Sequence, residues 1–340
     1  MESWIAVYIW TDAKGQLRSK SKTLFQKDKP AAESLEEWNF DGSSTGQAHS
    51  HNSEIILRPK KIFDNPFHTD RTIGSVLVWC DCYDIDGRAI ESNTRYEAQQ
   101  FFAHTHVVNQ EPWFGFEQEY ILYDRETLRP LGWPTHGLPE PQDKYYCGVG
   151  SGKVFRRDII DKHYLLCLKS GIKIGGTNAE VMPGQWEFQI GPCVGIEAAD
   201  HLWIARYILE MICEENNLIV SYEPKPYKDF NGSGLHTNFS TTQMREKGGY
   251  KYILSVIEKM QSRHSHDIRY FGTNDKRLTG KHETSSKDKF TFGVGDRSAS
   301  VRIPSKVIQQ DCGYIEDRRP ASDADIYLVM KTLIETTLLS

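Results

Sequence analysis

The segment Asn178-Ala179-Glu180-Val181-Met182-Pro183-Gly184-Gln185-Trp186-Glu187-Phe188 sets two acids where a sheet would reject them. Pro183-Gly184 reads as a turn between two strands. With a two-residue loop, Met182 faces Gln185, Val181 faces Trp186 and Glu180 faces Glu187. Directly opposed glutamates destabilise a hairpin, so the segment works against its own fold unless a divalent cation reverses the sign of the interaction. Pro-Gly is not the preferred hairpin turn, and a slipped register would weaken the argument. A second acidic pair lies in Phe114-Gly115-Phe116-Glu117-Gln118-Glu119-Tyr120-Ile121. Strand alternation puts Phe114, Phe116 and Tyr120 on one face and Glu117 with Glu119 on the other. Taken alone, such a pair is more often a solvated strand edge. Further on, a glycine-rich loop at Asn231–Gly234 leads into a strand whose polar face carries His236 and Asn238. A single histidine there is more often structural than a ligand. Carboxylates with at most one imidazole suit Mg²⁺ or Mn²⁺ better than Zn²⁺.

A net charge of −5 gives no general attraction to nucleic acid or to an anionic membrane. Any phosphate must therefore be met by local arginines. The C-terminal third supplies them in Gly295-Asp296-Arg297-Ser298-Ala299-Ser300-Val301-Arg302 and Glu316-Asp317-Arg318-Arg319-Pro320. Arginine forks match phosphate oxygens, although any one of these arginines taken singly fits an ordinary surface position. Gly148-Val149-Gly150-Ser151-Gly152-Lys153 is not a Walker A loop, because its first glycine is missing and Val154 follows the lysine. It reads as a flexible turn. The residues alone point to a divalent-metal, phosphate-handling enzyme and name no substrate.

The chain divides by pattern near residue 92. Before it lie a hairpin (Trp4–Trp10, a turn at 12–15, Leu17–Leu24) and strand candidates at Glu54–Leu57 and Ser75–Asp81. After it, Asn93-Thr94 caps a helix, and strands and helices then alternate irregularly. Amphipathic helices read at Glu197–Asn216 and Gly249–Arg263. Strand candidates are Phe114–Tyr123, Lys173–Val181, Gln185–Ile190, Leu235–Ser240, Phe290–Val294 and Ala299–Pro304. The class is α+β. Seven dispersed cysteines indicate a reducing compartment. The apolar N-terminal run is too short to span a membrane, so a cytoplasmic location is expected.

Read together, several segments resemble the glutamine synthetases, in particular the shorter type II form. They are Trp38-Asn39-Phe40-Asp41-Gly42-Ser43-Ser44-Thr45-Gly46-Gln47, Phe116–Tyr120, Tyr145-Tyr146-Cys147-Gly148-Val149-Gly150, Gly176–Phe188, His236–Ser240, Arg277-Leu278-Thr279-Gly280-Lys281-His282-Glu283-Thr284-Ser285 and Glu316–Pro320. The resemblance implies a small N-terminal β-grasp domain (1–92) and a larger catalytic domain (93–340) with a curved antiparallel sheet flanked by helices. It implies ATP-dependent ligation of ammonia to L-glutamate through γ-glutamyl phosphate, with ATP as co-substrate and two or three Mg²⁺ or Mn²⁺ ions per site. By motif match one metal falls to Glu117, His236 and Glu316, and another to Glu119, Glu180 and Glu187. Phosphate contacts fall to Arg297, Arg302 and Arg318, with Arg297 also counted catalytic. Glutamate contacts fall to Asn231, Gly232, Arg277 and Arg319. Asp41 matches the residue that binds ammonium and takes its proton, and Glu283 the one that closes over the site. The implied assembly is a homo-oligomer, a decamer of two five-membered rings, in which Asp41 serves the neighbouring subunit.

Three segments depart from the family pattern. Gly295-Asp296-Arg297-Ser298 has an aspartate and a serine where asparagine and glycine are usual, Phe230 stands for tryptophan, and His49 and His51 are additional. None removes a matched ligand or base. Two rival readings share the fold, a γ-glutamyl ligase acting on a larger amine and a non-catalytic structural ring. The intact Asp41 and Glu283 favour ammonia over the first, and the intact ligand set disfavours the second.

Overall fold

A strand that is apolar at every position needs cover on both faces, and Trp4–Trp10 is such a strand. The computed structural model describes residues 3–340 apart from 71 and 283. In it, β1 (Trp4–Thr11), β2 (Leu17–Leu24), β3 (Trp38–Asp41), β4 (Glu54–Asp64) and β5 (Gly74–Tyr83) form one sheet in the order β2-β1-β5-β4-β3. β1 and β5 run parallel, and the other pairs are antiparallel. Trp4, Ala6, Tyr8 and Trp10 turn to one side, where Leu35, Ile55, Leu57, Val76 and Val78 complete a small core. Val7 and Ile9 turn to the other side and join Leu77, Trp79 and Phe63 in the main core of the molecule. The continuous apolar run thus records a strand buried twice.

The second sheet holds β6 (Trp113–Asp124), β7 (Ile174–Ala179), β8 (Gln185–Val194), β9 (Leu218–Ser221), β10 (Leu235–Ser240), β11 (Phe292–Val294), β12 (Val301–Ile303) and β13 (Ile315–Asp317). Its order is β11-β12-β13-β10-β6-β8-β7, with β9 pairing the far end of β6. It is antiparallel except for β11 with β12. The helices are α1 (Thr94–Phe102), α2 (Thr105–Gln110), α3 (Arg157–Lys169), α4 (Glu197–Glu215), α5 (Thr242–Arg245), α6 (Gly249–Asp267), α7 (Ser305–Gln310) and α8 (Ile326–Ile334). Asn93 caps α1 as its sequence predicts, its side chain accepting from the Tyr96 N–H at 3.2 Å. α4 is buried almost all round and backs the sheet through Leu202, Ala205 and Leu209. The short β3, β9 and β13 and the helices α2, α3, α5, α7 and α8 go unmarked in the sequence reading. No helix among the described residues is long and apolar enough to cross a membrane. Cys80 and Cys82 are buried free thiols in β5.

A buried polar cluster joins the first sheet to the helices. The Trp79 indole donates to the Tyr327 hydroxyl at 2.7 Å, and that hydroxyl donates to Asp200 Oδ1 at 2.5 Å. Arg95 closes on the same carboxylate with two bonds of 2.8 and 3.0 Å. One acid therefore ties α1, α4 and α8 to the first sheet. Removing it leaves the buried Arg95 guanidinium, among the described residues, only Asp81, 3.7 Å away, and breaking such a buried pair typically costs ~3–5 kcal/mol. Asp200→Ala should lower unfolding stability by about that much in chemical denaturation, whereas a loss below ~1 kcal/mol would show that the cluster does not fasten these helices to the first sheet.

Candidate active site

β6 carries Glu117 and Glu119 on the face opposite Phe114, Phe116 and Tyr120, which pack in the core. Its neighbours bring the remaining acids to them. Across β6 and β8 the register opposes Glu119 to Glu187 and Glu117 to Gln189. On the other side β10 opposes His236 to Glu117, and β13 opposes Glu316 to Asn238. Glu180 enters from the loop that follows β7.

The turn expected at Pro183-Gly184 forms, with the Gln185 N–H donating to the Met182 carbonyl at 3.0 Å, but the strands do not pair right up to it. Glu180 donates its N–H to the Gln185 carbonyl at 2.9 Å, and the loop between β7 and β8 spans Glu180–Gly184. Gly184 sits at φ +82°, where a Cβ would lie 2.7 Å from the Leu131 carbonyl. The register consequently sets Glu187 opposite Asn178. The unfavourable pair predicted within the hairpin is found between Glu187 and Glu119, with Glu180 close to both.

Two groups of possible metal donors result, Glu117 with His236 and Glu316, and Glu119 with Glu180 and Glu187, and within each the donor atoms lie within 4.8 Å of one another. All but Glu117 are 9 % exposed or less. Burial, and then the neighbouring acids, push Glu180 and Glu187 well above the usual carboxylate range, and burial raises Glu119 too. Burial, with Arg318 next, holds His236 neutral, the form able to coordinate a metal. Neighbours hold individual oxygens in place. Asn238 donates to Glu117 at 2.9 Å, Asn178 to Glu180 at 2.9 Å, and the Gly234 N–H to Glu119 at 2.5 Å. Gly234 permits this approach, since a Cβ there would lie 2.4 Å from Arg277 Nη2. Oxygen donors with one imidazole, short of protons only at high electrostatic cost, fit hard divalent cations.

Arg302 and Arg318 bracket Glu316 at 2.8 and 2.6 Å. Arg297, Arg318, Arg277, Asn231 and Gly232 line a narrow cleft with Glu119 and Glu180. Burial lowers Arg277 to about 10, so it stays a cation at neutral pH. Arg319 is a correction to the expected glutamate contacts. It is fully buried, paired with Asp317 at 2.7 Å and set against the rings of Phe271 and Phe290. Alternation carries the signal: if Glu316 faces the cleft, Arg318 follows it and Arg319 points away.

A family model described as glutamine synthetase, beta-Grasp domain, matches residues 4–85, and one described as glutamine synthetase, catalytic domain, matches residues 91–251. The chain is 53% identical over 336 residues to a glutamine synthetase of Colletotrichum gloeosporioides, covering 98% of this chain and 91% of that protein. It is 50% identical over 341 residues to a glutamine synthetase cytosolic isozyme 1-1 of Oryza sativa, covering 99% and 95%. The chain belongs to the glutamine synthetase family. Glutamine synthetases in general use ATP and divalent metals, and both donor groups suit such ions.

The sequence reading misses a second, wider cleft. A cavity of about 470 Å³ is lined by Trp113, Glu117, Asn238, Ser240, Arg245 and Tyr314 among others. Arg245 lies over the Trp113 ring at 4.1 Å and donates to Ser240 at 3.1 Å. His236, Asn238 and Ser240 alternate on one strand face, so the signal lies one alternation beyond the pair that the sequence reading singles out. Glu117 borders this cleft and Glu119 the narrower one, two residues apart on β6.

Asp41 stands elsewhere. It ends β3, is exposed, and is absent from both cleft linings. Hydrogen bonds from the Ser43 hydroxyl (2.7 Å), the Ser44 hydroxyl (2.8 Å) and the Ser43 N–H (3.0 Å) hold it down at about 2. Glu283 lies outside the described residues. In the departing segment, Asp296 accepts from the Ser298 N–H and hydroxyl at 2.8 and 2.7 Å, forming the turn that carries Arg297 over the Tyr146 ring. His49 and His51 stack on each other in an exposed loop.

The acidic cluster generates a test. Glu187→Gln removes repulsion and a ligand together, so without divalent ions the variant should be at least as stable as the parent chain. At Mg²⁺ or Mn²⁺ a hundredfold above its dissociation constant, the parent should gain about 2.7 kcal/mol per site. The variant should gain clearly less in thermal melts, and equal gains in both would remove Glu187 from the metal site.

Proposed function

We propose that this chain joins ammonia to the side-chain carboxylate of L-glutamate, with ATP converted to ADP and phosphate, and so assimilates nitrogen as glutamine. The observation that carries the reading is the junction of two carboxylate-rich donor groups with cleft arginines, on a chain about 50% identical to glutamine synthetases along nearly its whole length. In the first step a glutamate side-chain oxygen attacks the γ-phosphorus, the bond to the β-phosphate oxygen breaks, and ADP leaves γ-glutamyl phosphate. In the second, the ammonia nitrogen attacks the acyl carbon, the bond to the phosphate oxygen breaks, and nitrogen gives up its extra proton. Glu117, His236 and Glu316, and Glu119, Glu180 and Glu187, would hold two or three Mg²⁺ or Mn²⁺ ions, which would offset charge on the phosphates.

The protein's own groups share the remaining tasks. The wide cleft takes the nucleotide, with Arg245 and Trp113 along its wall. Arg297, Arg302 and Arg318 meet phosphate oxygens as charge shifts. Asn231, Gly232 and Arg277 hold the amino acid in the narrow cleft. Asp41 binds ammonium and receives its proton, while Glu283 closes the site against water, to which an acyl phosphate is vulnerable. Because Asp41 lies off both clefts of its own chain, it serves a neighbouring copy, in a decamer of two five-membered rings. We place the division between the two units at residue 92 and the enzyme in the cytoplasm.

The deciding experiment measures ADP release from Mg-ATP and glutamate with and without ammonium, and analyses the products for glutamine. Strong stimulation by ammonium with glutamine formed is the expected result. Turnover only with a larger amine, or none in an assembled, metal-loaded protein, would reject the reading. Asp41→Asn should lose ammonia-dependent turnover by about 10²-fold or more, with glutamate-dependent ADP formation partly retained. Unimpaired glutamine synthesis in that variant would remove Asp41 from its role.

A further inference from the structure

Asn231 and Gly232 line one wall of the narrow cleft within the segment Phe230–Ser233, which has no regular secondary structure yet is held at every residue. The Lys225 ammonium donates to the Phe230 carbonyl. Gln185 Nε2 donates to the Gly232 carbonyl and to the Ser233 hydroxyl, both at 3.0 Å. The Ser233 N–H reaches the Pro224 carbonyl at 2.8 Å. Behind the segment, Trp133 packs its ring against Tyr227 and Phe230 at 4.4 and 4.9 Å.

Asn231 is held by Gln142 alone among the described residues. The Asn231 N–H donates to Gln142 Oε1 at 2.9 Å, and Gln142 Nε2 donates back to Asn231 Oδ1 at 3.3 Å. The orientation of both amides follows from one fixed point. A backbone N–H can only donate, so the Gln142 atom facing it must be the oxygen. Gln142 then offers its nitrogen to the Asn231 side chain, whose facing atom must be an acceptor. Asn231 is thereby fixed with Oδ1 toward Gln142, and its NH₂ group, which has two donors and no acceptor, is the end left for the cleft.

We propose that Gln142 is a specificity-determining, positioning residue. By locking the Asn231 amide it makes this wall of the cleft a pure hydrogen-bond donor, so that the site selects a carboxylate oxygen of the amino-acid substrate there and rejects a group bearing N–H. Arg277 stands beside the same wall, since a Cβ on Gly232 would lie 3.3 Å from Arg277 Cγ. A cation and an amide donor together favour an anionic acceptor. This rests on the reading of Asn231 as a glutamate contact.

Gln142→Glu tests it, because a carboxylate still accepts from the Asn231 N–H and cannot donate to Oδ1. The Asn231 amide should turn over and present its oxygen to the substrate. The expected result is a rise in KM for glutamate of about ten- to hundredfold, the range for a hydrogen bond to a charged group. Calorimetric titration with L-glutamate should show a matching loss, while KM for ATP and kcat at saturating glutamate stay within about threefold. Gln142→Met, similar in shape and unable to hydrogen-bond, frees the amide without reversing it and should give a smaller rise; it also serves if the first variant does not fold. In an Asn231→Ala background, Gln142→Glu should add less than about twofold, as coupled residues do.

An unchanged glutamate KM in both Gln142 variants, with Asn231→Ala raising it, overturns the lock and leaves the glutamate site standing. An effect of Gln142→Glu that persists in full without the Asn231 side chain assigns it to the introduced charge and also overturns the lock. No change on Asn231→Ala, or no glutamate binding by the parent chain, overturns the underlying reading itself.

Discussion

The repulsion between Glu119 and Glu187, opposed across β6 and β8 with Glu180 beside them, is the constraint that organises this molecule. Three buried acids within 4.8 Å cannot all ionise without a counter-charge, and their raised pKa values express that cost. The sheet holds them together because its other face is packed. Phe116, Tyr120, Phe188 and Trp186 fix β6 and β8 from beneath, against helix α4. Irregular register between Phe114 and Phe116 and between Ile174 and Gly176 bends the same strands, and such bulges re-aim side chains toward a common point. Apolar burial on one face thus sustains electrostatic strain on the other.

The first sheet contributes by being fastened. β1 and β5 are each buried on both faces, and Trp79 reaches through Tyr327 to Asp200. Independent modules commonly meet through smaller and more polar interfaces that let them move. Here a shared core and a carboxylate accepting from both Arg95 and Tyr327 oppose such motion. Asp41 is therefore presented at the end of β3 from a frame continuous with the sheet that carries the acids.

Much of this is legible in the sequence because alternation is a local property. The faces of β6 and β10 follow from Phe114, Phe116 and Tyr120 and from Leu235, Thr237 and Phe239, without knowledge of any partner strand. Register is not local. The strands stop short of the Pro183-Gly184 turn, leaving a loop from Glu180 to Gly184, and Gly184 takes a left-handed conformation against the Leu131 backbone, a contact from a distant part of the chain. The acid opposed to Glu187 can therefore be read only from the structure. Arg319 is misplaced by the sequence for a different reason, since a motif match treats neighbouring arginines as equivalent where alternation separates them. Gln142 carries no signal at all, because a glutamine in a polar loop acquires meaning only when Asn231 is folded against it.

The environment of Asp41 separates two tasks that the proposed function gives to one group. A carboxylate stabilised by three hydrogen bonds is a good anion and a poor base. Exposed at the end of β3, it suits attraction of ammonium better than removal of its proton. Taking that proton requires the carboxylate to become more basic, and loss of water is the available means, since burial raises a carboxylate pKa while leaving its attraction to a bound cation stronger. A group that binds in the open and acts as a base when covered needs a cover supplied after binding. A site completed by a second copy of the chain and by a closing segment meets that requirement, whereas a base built permanently into the dry cleft beside Glu119 and Glu187 would add a fourth acid to a cluster already short of counter-charge.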